Sequence, residues 1–85
     1  MARRPSSEIL MKRVAMDTDT HFFTSRRGVP CIFKLHPLTG VRIGACFFQK
    51  TGIYRVFIGA EQKRYDYSTH EEVTKAIKNF LSSDG

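Results

Sequence analysis

A chain of 85 residues has room for one modest hydrophobic core, which excludes a large enzyme with a deep cleft between lobes. Its 41% hydrophobic and 12% aromatic content excludes a disordered chain. Fourteen Lys and Arg against eight Asp and Glu leave a formal charge of +6, the profile of a partner for polyanions, with nucleic acid ahead of acidic protein surfaces and anionic membranes.

No stretch reaches the roughly 18 to 20 apolar residues of a membrane span. The N-terminus also lacks the apolar core of a secretory signal, so a cytoplasmic protein is expected. Cys31 and Cys46 are too few for the disulfide framework of a small secreted scaffold. Both lie in apolar runs, and buried reduced thiols are expected.

In chain order, residues 1–19 read as a basic arm carrying Arg3 and Arg4, with a short helix over 8–16 that Ser6 or Ser7 caps and whose apolar face is Ile9, Leu10 and Val14. Residues 20–85 read as a single α+β domain. From His21 onward, β-branched and aromatic runs alternate with turn signals, as in an antiparallel meander of four to five strands. The runs are 21–25, 31–36, 41–49, 53–59 and 63–67. Arg27-Gly28, Pro37-Leu38-Thr39-Gly40, Lys50-Thr51-Gly52 and Ala60-Glu61-Gln62 separate them, connections too short for parallel crossovers. The last element is an amphipathic helix, capped by Ser68 with Glu71 completing a capping box. Its stripe of Val73, Ala76, Ile77, Phe80 and Leu81 must dock on the sheet.

Period-two alternation sorts the strand residues by face. Tyr54, Val56 and Ile58 share a set, as do Val41, Ile43, Ala45 and Phe47, and these are the expected core. The complementary sets place Arg42 and Arg55 on the face left bare, with Lys63 or Arg64 beside them. Lys50 stands at a hairpin tip, and the Arg26-Arg27 turn adds phosphate contacts. Interleaved tyrosines offer stacking.

The order strand, glycine turn, Tyr54-Arg55-Val56-Phe57-Ile58, short turn, Lys63-Arg64-Tyr65-Asp66-Tyr67, then Ser68-Thr69-His70-Glu71-Glu72-Val73 opening a helix, carries a resemblance over residues 41–81. It resembles the three-stranded sheet plus helix of plant ethylene-response-factor DNA-binding domains and of the arm-binding domains of tyrosine integrases. The resemblance implies a sheet that enters the major groove, with Arg42, Arg55, Lys63 and Arg64 contacting nucleic acid and Tyr65 supporting them.

A metal site is not expected: His21, Cys31, His36, Cys46 and His70 show no ligand spacing such as CxxC or HExxH. Cysteines inside strands do not make activated nucleophiles, and Asp17 and Asp19 near His21 read as a helix stop. No enzymatic activity and no cofactor are expected. The leading expectation is a small basic nucleic-acid-binding protein, DNA ahead of RNA. The alternative is a protein-interaction or inhibitory module of a phage or mobile element, working through a sheet edge or an aromatic patch. Phe22, Phe23, Phe47, Phe48 and Phe57 exceed what one helix can cover, so self-association is expected under both readings.

Overall fold

A computed structural model describes residues 6–83. The chain folds as α1 (Ser7–Thr18), β1 (His21–Thr24), β2 (Pro30–Leu35), β3 (Arg42–Phe48), β4 (Ile53–Ile58), β5 (Lys63–Tyr67) and α2 (His70–Ser82). The five strands form one antiparallel sheet in the order β1-β2-β3-β4-β5, so every neighbour in sequence is a neighbour in space. The fold is α+β, as its alternation and its capped final helix require. The Arg3-Arg4 arm expected at the N-terminus lies outside the described residues.

Both helices pack on the same side of the sheet and against each other. The core between these two layers holds Ile32, Ile43, Ala45, Phe47, Tyr54 and Val56 from the strands, Met11, Val14 and Ala15 from α1, and Val73 and Ile77 from α2. Each fully buried aliphatic side chain contributes about 1.5–3 kcal/mol relative to exposure. Helix α1 is a full part of this layer. Met11 and Val14 are wholly buried, whereas Ile9, expected on the apolar face, is exposed. Ser6 caps α1, its hydroxyl accepting from the Ile9 amide at 3.2 Å, and the helix stops at Asp19, whose backbone turns left-handed.

The α2 cap is Thr69, one residue later than expected from the capping-box pattern. Its Oγ1 accepts from the Glu72 amide at 3.2 Å, and the Glu72 carboxylate accepts from both the Thr69 and Ser68 hydroxyls. Its stripe docks as expected, with Val73 and Ile77 fully buried and Ala76, Phe80 and Leu81 half-buried.

His36 is 2% exposed. It follows β2 on the inward side, where the end of α2 closes over it. Its Nδ1 accepts from the Leu38 and Thr39 amides at 3.1 and 3.4 Å. Nε2 therefore carries the proton and donates to the Ser83 carbonyl at 2.7 Å. The ring also meets Phe80 edge-on, with centroids 5.2 Å apart. One side chain thus fixes the β2–β3 turn and ties the end of α2 to the sheet.

Candidate nucleic-acid interface

With both helices on one side, the opposite side of the sheet is bare. Register assigns its residues row by row. One row runs His21, Phe33, Gly44, Phe57, Arg64 from β1 to β5. The next runs Phe23, Cys31, Cys46, Arg55, Asp66. Leu35 and Arg42 form a short row at one end, and Phe48 and Ile53 another at the opposite end.

The bare face therefore carries three guanidinium groups among four phenylalanine rings. The Arg42 guanidinium lies 5.5 Å from the Phe33 ring centroid and that of Arg55 lies 4.9 Å from Phe48, both within cation–π range. Phe33 also meets the rings of His21 and Phe23, at centroid distances of 5.6 and 5.7 Å. Arg55 Nε donates to Asp66 Oδ1 at 3.1 Å. Gln62 Nε2 donates to the Arg42 carbonyl at 3.0 Å and to the Gly59 carbonyl at 2.8 Å, which ties the first residue of β3 to the β4–β5 turn.

Of the residues expected to contact nucleic acid, Arg42, Arg55 and Arg64 share this face. Lys63 and Tyr65 do not. Lys63 pairs with Ile58 and Tyr65 with Val56, so both side chains leave β5 on the helix side. Arg26, Arg27 and Lys50 sit on the two turns at the end of the sheet beyond Phe48. Arg27 and Lys50 line a cavity of about 370 Å³ there, together with Phe48 and Gln49 and, from the helix side, Ser7, Pro30 and Phe47. Their charges stand at the end of the sheet rather than on the bare face itself. Phe22 and Phe47 turn inward, whereas Phe23, Phe48 and Phe57 are on the bare face. Phe33 joins them. Alternation alone leaves it unassigned, because Lys34 and His36 share the inward parity of Ile32; the register opposite Gly44 is the signal that places it.

Acidic groups are segregated from this surface. Among the described residues the acids are Glu8, Asp17, Asp19, Glu61, Asp66, Glu71 and Glu72, and Asp66 alone stands on the bare face. The others belong to the helices, to the α1 cap and to the β4–β5 turn.

The two cysteines lie directly opposite each other on β2 and β3, free and half-buried on the bare face rather than in the core. Burial raises both thiol pKa values, that of Cys46 to about 11, with the neighbouring Cys31 adding to the effect. His36 leaves β2 on the opposite side from Cys31, so these two cannot share a metal, and among the described residues no His, Cys, Asp and Glu group has metal-site geometry. The Asp17, Asp19 and His21 grouping disperses. Asp17 Oδ2 pairs with His70 Nε2 at 2.8 Å between the two helices, Asp19 with Lys34 Nζ at 3.4 Å, and His21 stacks on Phe33.

A groove of about 380 Å³ between α1 and α2 is lined by Asp17, His70, Glu71, Thr74, Lys75, Lys78 and Asn79. Its carboxylates and ammonium groups offset one another, so it lacks the one-sided charge of the sheet face. No helix among the described residues is long and apolar enough to cross a membrane. No family model, curated protein or solved structure matches the chain.

Proposed function

We propose that the protein binds nucleic acid on the bare face of its sheet, and that it does so without catalysing a reaction. The exclusion of acids carries this reading: Arg42, Arg55 and Arg64 stand among half-buried and exposed rings on one face, Arg26, Arg27 and Lys50 lie on the turns at its end, and among the described residues the acids apart from Asp66 lie elsewhere. Cations spaced along strands meet phosphates, and rings beside them meet bases. DNA is the proposed target ahead of RNA.

The test is fluorescence anisotropy with labelled oligonucleotides over a salt series. Affinity should fall linearly in log–log form, and replacing Arg42, Arg55 or Arg64 by Gln should each reduce the slope by about one. Absence of binding at low salt would remove the proposal.

A second reading rests on Phe23, 36% exposed on β1, the strand at the edge of the sheet. Such an edge suits a protein partner or a second copy of the chain, pairing through the strand edge. Sedimentation equilibrium tests the second copy: a dimer that Phe23→Arg dissociates supports it, and a monomer at high concentration opposes self-association.

A further inference from the structure

We infer that the occupant of this face is an unpaired polynucleotide strand rather than a duplex, an inference that rests on the nucleic-acid reading above. The row Phe33, Gly44, Phe57 is the reason. Gly44 stands on the strand between two ring-bearing strands and contributes no side chain to the face. Strands lie about 4.8 Å apart, so Phe33 and Phe57 leave their backbones about 10 Å from each other across an open gap. A flat ring with contact on both sides needs about 7 to 8 Å. A nucleobase therefore fits over Gly44, against one ring or between both.

Nothing in the fold demands glycine there. A Cβ on Gly44 would meet only the Ile32 carbonyl oxygen, at 3.6 Å, an ordinary contact. Its backbone is regular strand, so a larger residue is tolerated and its absence is what keeps the gap open.

The centre of the face itself offers no readout of paired bases. Phe33, Gly44, Phe57, Cys31 and Cys46 present no strong donor or acceptor to the edges of paired bases in a groove. What they do present is ring surface, which only an unstacked base can meet. The guanidinium groups lie around this centre: Arg64 ends the same row, Arg55 flanks Cys46, and Arg42 stands over Phe33. This is the arrangement of a stacking floor with phosphate contacts at its margins.

The experiment measures the full chain by anisotropy against an oligothymidylate of about twelve nucleotides, the matching oligouridylate and a duplex of similar length. The oligothymidylate should bind at least about tenfold more tightly than the duplex, and no more weakly than the oligouridylate. Phe57→Ala and Gly44→Val should each weaken the single strand about tenfold and leave the duplex unchanged, whereas Arg42→Gln should weaken both. Gly44→Val keeps a strand-forming residue in place, and circular dichroism confirms its fold. Duplex binding as tight as single-strand binding would overturn the inference. So would wild-type single-strand affinity in Phe57→Ala and Gly44→Val, and in both cases the broader nucleic-acid reading stands. A tenfold preference for the oligouridylate would overturn the preference for DNA. Failure of all three probes to bind at low salt would instead remove the underlying reading.

Discussion

Arg55 and Asp66 face each other across β4 and β5, Nε to Oδ1 at 3.1 Å, while the same guanidinium lies 4.9 Å from the Phe48 ring. Asp66 thus neutralises one of the three cations of the bare face. The pair is partly exposed, and such a pair contributes at most about 1 kcal/mol to stability. Asp66→Asn should therefore raise affinity for an oligonucleotide about two- to fivefold at low salt, with little change in urea midpoint. An unchanged or weakened affinity in anisotropy would show that Arg55 does not meet the ligand.

His36 carries more of the fold than its position after a strand suggests. Its ring nitrogens satisfy the Leu38 and Thr39 amides and the Ser83 carbonyl, and its ring meets that of Phe80 edge-on. His36→Ala leaves these groups without that partner and opens a void, so a loss of about 3 kcal/mol is expected in urea unfolding. His36→Phe restores volume without the hydrogen bonds and should recover only part of it. A loss below about 0.5 kcal/mol in the Ala variant would contradict this role.

Two glycines separate backbone strain from open space. Gly52 sits at φ +70° in the β3–β4 turn, where its amide donates to the Phe48 carbonyl at 2.8 Å. A Cβ there meets no atom within 4 Å, so any cost of Gly52→Ala comes from the left-handed backbone and should be about 1 kcal/mol. Gly44→Ala, in regular strand, should be neutral or slightly stabilising. Thermal unfolding of the two variants side by side gives the comparison, and equal midpoints would contradict it.

The paired thiols should resist alkylation at neutral pH. Burial, and for Cys46 the adjacent Cys31, hold the thiolate fraction low, and the Cys46 pKa of about 11 lies above its ordinary value of 9.0. Iodoacetamide labelling followed by mass spectrometry should be slow at pH 7 and accelerate as pH approaches 11. The folded state retains this proton where the unfolded chain releases it, so the thiol's contribution to stability is intact below pH 9 and declines between 9 and 11. Labelling at neutral pH as fast as that of a small free thiol would contradict this.

The layers of the fold are legible in the sequence wherever a local period meets a clear hydrophobic difference. The stripe from Val73 to Leu81 places α2, and Ile43, Ala45, Phe47, Tyr54 and Val56 sort themselves to the core by alternation alone. Three features resist local reading. Ser68 and Thr69 each have a glutamate three residues on, so the capping-box pattern cannot choose between them. In β2 and just after it a lysine and a histidine share the inward side, because Lys34 Nζ reaches the Asp19 carbonyl at 3.0 Å and His36 is buried beneath α2. In β5, residues 63–66 are all exposed, so Lys63 and Arg64 are distinguished only by pairing with β4. Arg42 and Arg55 are legible as face partners because each alternates with core residues. Phe48 follows Arg42 to the same surface by the alternation of β3, whereas Phe33 joins it through cross-strand register, which is a property of the whole sheet.

The most direct test of the sheet face as the binding surface is a two-dimensional ¹H–¹⁵N NMR titration with an oligothymidylate. Shifts should concentrate at Phe33, Arg42, Gly44, Cys46, Arg55, Phe57 and Arg64, with α2 residues such as Lys75 and Lys78 unaffected. Shifts confined to the groove between the helices, around Asp17, His70 and Lys78, would contradict it.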